Sequence, residues 1–162
     1  MEINRDIYLN RLIMRKQNGF IKVITGIRRC GKSYLLNKIF YNYLLSESVD
    51  KNHIIRFAFD SADDLLLIDE DILDISEQNR KVDPRKFMKY LAGKIVDDEM
   101  YYLLLDEVQL LGNFEAVLNG YMRKDNLDIY VTGSNSKFLS SDILTEFEGR
   151  GDEIHVLPLS FS

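Results

Sequence analysis

The chain has 162 residues, 46% apolar and 29% charged, with a net charge of −5. That length suffices for one domain with a sizeable core, and the acidic balance gives no support for nucleic-acid binding, which usually shows a basic face. A lone cysteine, Cys30, excludes an internal disulfide and fits a reducing compartment; no apolar run approaches the roughly 20 residues of a bilayer span, and Met1-Glu2-Ile3-Asn4-Arg5-Asp6 lacks a signal-peptide layout, so the expected location is cytoplasmic.

Residues 5–16, with Ile7, Leu12 and Ile13 among Arg5, Arg11, Arg15 and Lys16, predict an amphipathic helix that stops at Asn18-Gly19. Phe20 to Thr25 reads as a buried strand. It runs into Gly26-Ile27-Arg28-Arg29-Cys30-Gly31-Lys32-Ser33, which is G-x-x-x-x-G-K-S. Leu35, Leu36, Ile39, Phe40, Tyr43 and Leu44 then recur at helical spacing. Strand, glycine loop and helix together are the context of a phosphate-binding P-loop. Gly26 and Gly31 let the backbone wrap phosphate, Lys32 brings a point charge to the β- and γ-phosphates, and Ser33 offers a hydroxyl to Mg²⁺. The side chains of Arg28 and Arg29 read first as solvent-facing, and Cys30 as a small loop filler.

Residues 46–52 predict a polar loop and 53–59 a second strand. Asp63 to Ile75 predicts one helix, and Gln78 to Lys81 a mobile loop. Asp83-Pro84 signals an N-cap and first turn, for a helix whose apolar face is Phe87, Tyr90, Leu91 and Ile95. A third strand, 101–105, is followed by a helix capped by Asn113, a fourth strand at 128–132, and a fifth at 153–157 stopped by Pro158. This alternation predicts an α/β domain with a mostly parallel sheet, whose ligands bind beyond the strand carboxyl ends. The P-loop, Asp106 and Gly133 all fall there.

Tyr101-Tyr102-Leu103-Leu104-Leu105 runs directly into Asp106-Glu107, and charge beside a core needs a reason. Beside a P-loop, the pair reads as a Walker B element: Asp106 holds Mg²⁺ through its water shell and Glu107 deprotonates the attacking water. The other reading is an acidic turn capping the next helix. Thr132-Gly133-Ser134-Asn135-Ser136 places small polar groups at a strand end, able to touch a γ-phosphate or to form an ordinary turn. Arg150 reads equally as an arginine finger and as a solvated loop residue. His53 and His155 are too scattered for a metal site.

The P-loop string, Leu105-Asp106-Glu107-Val108-Gln109, Thr132 to Ser136, Gly149-Arg150 and Leu157-Pro158-Leu159-Ser160-Phe161, taken in this order, resemble the prokaryotic AAA-type P-loop ATPases. The resemblance implies a three-layer P-loop fold with a five-stranded sheet, the sensor strand lying between the P-loop and Walker B strands. It implies ATP and Mg²⁺ as cofactors, a nucleotide-binding stretch from Gly26 through Tyr34, and Ser33 and Asp106 at the metal. Lys32, Glu107, Ser134, Asn135 and Arg150 would be catalytic, with Ser134 and Asn135 as sensors and adenine near residues 5–8. Family members usually continue into a further carboxyl-terminal domain, so residues 1–162 are expected to be the ATPase core of a longer protein. Its partners would be that domain or further copies. The leading expectation is ATP hydrolysis coupled to conformational change; a nucleotide-dependent switch with little turnover is the alternative. A P-loop kinase or a nucleic-acid-dependent motor is disfavoured by Asp106-Glu107 and by the acidic balance respectively.

Overall fold

The computed structural model describes residues 2–26, 31–134, 147 and 151–156, with the backbone alone at 2–6. Five strands form one sheet: β1 (Ile21–Thr25), β2 (Ile54–Ala58), β3 (Tyr101–Asp106), β4 (Leu127–Thr132) and β5 (Gly151–His155). Their order is β2-β3-β4-β1-β5 and every pair is parallel. The sensor strand β4 thus separates the P-loop strand β1 from the Walker B strand β3. Strand β5 begins at Gly151, two residues before the expected start, because Gly151 pairs with Ile21 in register with β1.

β1 and β3 are buried along their whole length, as strands covered on both faces must be. Alternation then divides the core in two. Ile21, Val23, Leu103, Leu105, Ile129 and Val131 face one layer; Ile24, Tyr102, Leu104, Tyr130 and Ile154 face the other. The second layer is covered by α1 (Glu2–Met14), through Leu12, and by the helix after the P-loop, through Leu35, Leu36, Phe40 and Leu44. That helix, α2, runs through Lys32–Tyr34, Leu35–Phe40 and Tyr41–Ser46, with its middle stretch wound as π-helix.

The first layer is covered by α5 (Pro84–Lys94) and α6 (Phe114–Met122). Asp83 caps α5, accepting from the Arg85 amide at 2.9 Å. Asn113 does occupy the position before α6, but it has left-handed backbone (φ 50°) and makes no side-chain cap bond. The single helix expected from Asp63 to Ile75 is two, α3 (Ala62–Leu66) and α4 (Ile72–Glu77), capped by Ser61 and Asp71. They part at Asp69, whose φ of 59° breaks the helix, and at Glu70, which is buried. Glu70 accepts from both terminal nitrogens of Arg80 (2.8 and 3.0 Å), from Lys86 (3.2 Å) and from the Asp83 amide (2.9 Å). Arg80 and these other donors hold its carboxyl down to about 2. The expected mobile loop, 78–81, is therefore anchored. Lys81 also donates to the Gln109 carbonyl (3.1 Å), and Val82 bridges to Leu111.

Candidate functional site

β1 delivers the chain to Gly26, whose φ of 148° leads into the loop, and Gly31, φ 95°, precedes the first helical turn. A side chain would strain either backbone. Lys32 is almost wholly buried, and its ammonium donates to the Gly26 carbonyl at 3.0 Å. Ser33, one residue on, turns its hydroxyl to β3 and donates to Asp106, 2.9 Å from Oδ1 and 2.7 Å from Oδ2. The first turn of α2 and the end of β3 meet at that contact, although the two side chains are 73 positions apart in the chain.

Thr132, the last residue of β4, joins the pieces. Its hydroxyl donates to Asp106 Oδ1 and accepts from the Glu107 amide (2.9 Å). Glu107 itself has left-handed backbone, φ 53° and ψ 50°, uncommon outside glycine and costing of order 1–3 kcal/mol. That turn takes its side chain out of the strand direction and to Ser134, whose hydroxyl donates to Oε1 at 2.7 Å; the Gln109 amide donates to the same oxygen at 3.0 Å.

Gly31, Lys32, Ser33, Tyr34, Asp60, Glu107 and Ser134 line one open cleft of about 720 Å³, within the range of small-ligand sites. The sequence expectations for Gly26, Gly31, Lys32, Ser33, Tyr34, Asp106, Glu107 and Ser134 thus converge on one place. Ile27, Arg28, Arg29, Cys30, Asn135, Ser136, Gly149, Arg150 and the string from Leu157 to Phe161 lie outside the described residues. Three contributors went unassigned from sequence. Asp60 follows β2, so the rule of strand carboxyl ends could have found it. Thr132 stood in the small polar string expected near a γ-phosphate, but was not singled out from it. Gln109 carried no signal of its own.

A hydroxyl and a carboxylate side by side are hard oxygen donors suited to Mg²⁺, which is usually held by one or two protein groups together with phosphate and water oxygens. Among the described residues no three His, Cys, Asp or Glu side chains gather as a metal site.

A family model described as AAA domain matches residues 18–162. The chain belongs to that AAA domain family. The domain is 34% identical, over 98% of its length, to an uncharacterized protein of Haemophilus influenzae, and 32% identical, over 98%, to another of Methanocaldococcus jannaschii. It spans only 36% and 30% of those relatives, about a third of their length. Its fold is similar to a chain of Drosophila ORC bound to DNA (TM-score 0.59, 16% identity, covering 100% of this chain and 97% of that one). It is also similar to AMPPCP-bound DnaA from Aquifex aeolicus (0.52, 18%, 91% and 43%) and to C. elegans PCH-2 (0.53, 18%, 99% and 43%). Among the described residues of the AAA domain, no helix is long and apolar enough to cross a membrane.

Proposed function

We propose that this AAA domain binds ATP with Mg²⁺ and hydrolyses it, driving conformational change in a longer protein of which residues 1–162 are the ATPase core. The observation that carries the proposal is the hydrogen-bonded array Ser33–Asp106–Thr132–Glu107–Ser134 beside Lys32, at the carboxyl ends of β1, β3 and β4. Nucleotide binding by a protein of this fold is supported by the AMPPCP named for DnaA.

Bound Mg-ATP would supply the γ-phosphoryl bond to be broken and an ion that offsets its charge. The residues of this chain do the rest. Lys32 exchanges the Gly26 carbonyl for phosphate oxygen. Ser33 and Asp106 would hold the ion. Glu107 takes a proton as the water oxygen bonds to the γ-phosphorus and the bond to the bridging oxygen of ADP breaks. Ser134 steers Glu107. Asn135 as a second sensor and Arg150 as a charge-stabilising finger, in the same subunit or from a neighbour, complete the proposed set. Tyr34 and the N-terminal helix would border the nucleotide.

Steady-state phosphate release from Mg-ATP by wild type and Glu107→Gln is the test. Loss of about 100-fold or more in the variant, with ATP affinity kept, is the expected result. Equal turnover sinks the assignment. Tight binding with no turnover in the wild type favours a nucleotide-dependent switch. A large rise in turnover on adding DNA would reopen the motor reading, for which the DNA named for ORC is a weak prompt against a net charge of −5.

A further inference from the structure

Gln109 lies two residues beyond Glu107 in the turn Val108–Leu110, and is 7% exposed. Its Nε2 donates to Glu107 Oε1, while its own Oε1 is buried with no hydrogen-bond partner among the described residues. A buried carbonyl without a donor is a cost that an apolar side chain of equal length would avoid. The opposite amide orientation would set carbonyl oxygen against carboxylate oxygen, two acceptors facing each other. The burial therefore makes sense through the amide N–H and its contact with Glu107.

The backbone beneath Gln109 is clamped. Its carbonyl accepts from Lys81, the Leu110 carbonyl accepts from the Val82 amide (2.9 Å), and the Gly112 amide donates to the Val82 carbonyl (2.9 Å). A Cβ at Gly112 would stand 3.1 Å from that carbonyl and 3.3 Å from Pro84, so the two segments are in close contact. The amide is thus presented from a fixed base. Both it and the Ser134 hydroxyl bind Oε1 of Glu107, and neither binds Oε2.

We propose that Gln109 is a positioning residue for hydrolysis: with Ser134 it pins Oε1 of Glu107, so that Oε2 is the oxygen presented to the attacking water. This rests on Glu107 being the base. Donors to a charged group are strong and directional, and small losses of alignment at a reacting group are expensive in rate.

The test uses the full-length protein with Gln109→Met, which keeps the side-chain length and removes the amide. Wild type and Glu107→Gln run alongside, and kcat, KM, affinity for a non-hydrolysable ATP analogue and Tm are measured. The expected result is a kcat lower by about 10- to 100-fold, with KM and analogue affinity within about twofold of wild type and Tm unchanged or raised. A kcat within about twofold of wild type overturns the proposal, as does a joint fall in kcat, affinity and Tm, which would mean a structural role only. If Gln109→Met does not fold, Gln109→Leu decides by the same criteria. The two readings fail separately. Turnover by Glu107→Gln equal to wild type, or none in the wild type, removes the base and Gln109's role with it. An inactive Glu107→Gln beside a fully active Gln109→Met removes Gln109's role alone.

Discussion

The two ends of the central strands each bury a carboxylate, and they neutralise it differently. At the amino ends, Asp128 on β4 accepts from Lys22 on β1 (2.5 Å), from the Tyr130 hydroxyl (2.7 Å) and from the Gln17 amide (2.9 Å). Lys22 also donates to Asn18 (3.2 Å) and lies 4.8 Å from the centre of the Tyr130 ring, while Gln17 donates to the Tyr102 hydroxyl (2.7 Å). Burial pulls the Lys22 ammonium below its ordinary range despite Asp128, and pushes the Tyr130 and Tyr102 hydroxyls up. At the carboxyl ends, Asp106 has two hydroxyl contacts among the described residues, Ser33 and Thr132, and the Lys32 ammonium donates to the Gly26 carbonyl. A carboxylate balanced by the protein's own ammonium closes a structure. One bonded to hydroxyls is suited to a cation that arrives with a ligand.

That contrast can be broken at either end. The largest effect is expected from Lys32→Ala: phosphate release lost by about 1,000-fold or more, and with it the upward Tm shift that saturating Mg-ATP gives the wild type, about 5–10 °C for stabilisation near 3 kcal/mol. Without nucleotide, Tm should match wild type; a large fall there would place Lys32 in the scaffold instead. Next, Asp106→Asn should lower turnover about 100-fold and abolish the Mg²⁺-dependent part of that Tm shift, as chelating Mg²⁺ should in the wild type. A Mg²⁺ response unchanged in the variant would move the ion elsewhere.

At the opposite end, Asp128→Asn leaves the Lys22 ammonium buried without its counter-charge. The expected cost is about 3 kcal/mol, read as a Tm lower by about 10 °C, while the affinity of the remaining folded protein for Mg-ATP is kept. Affinity lost ahead of stability would show that the two ends are not independent. The smallest effect sharpens the comparison at a third carboxylate. Glu70→Gln should lower Tm by about 5 °C near neutral pH, since Arg80 and Lys86 leave their side of the pair partly in water. The carboxyl of Glu70 is held down to about 2 from an ordinary 4.5. Its contribution is therefore fully present above pH 4.5 and lost as pH falls toward 2, so the gap between wild type and variant should close over that window in an acid titration. A gap that persists at pH 2 would mean packing, not charge.

Legibility in the sequence followed the distance over which each signal acts. The P-loop, the apolar strands and Asp106-Glu107 are contiguous, and their types and order were readable, as was the place of β4 in the sheet through the resemblance. The break between α3 and α4 was not, because its cause is Glu70 meeting Arg80 and Lys86, 10 and 16 residues away. Lys22 and Asp128 sit 106 positions apart, and each alone reads as a polar residue misplaced in a strand. Asn113 occupied the expected boundary with a different backbone. Thr132 was visible as a residue, but its two hydrogen bonds, donated to Asp106 and accepted from the Glu107 amide, exist only once β3 and β4 lie side by side.

The strand order has a consequence for how the chain is made. β1 is made well before its neighbours β4 and β5, which begin at Leu127 and Gly151. At ribosomal speeds of about 5–20 residues per second, the stretch ending at Thr25 waits about 5–20 s before either partner exists. During that wait Ile21, Val23 and Ile24, none of them exposed in the finished protein, have no sheet to join. Nascent chains halted before β4 should therefore be captured by chaperones through this segment, and release should follow within seconds of residue 132 clearing the exit tunnel.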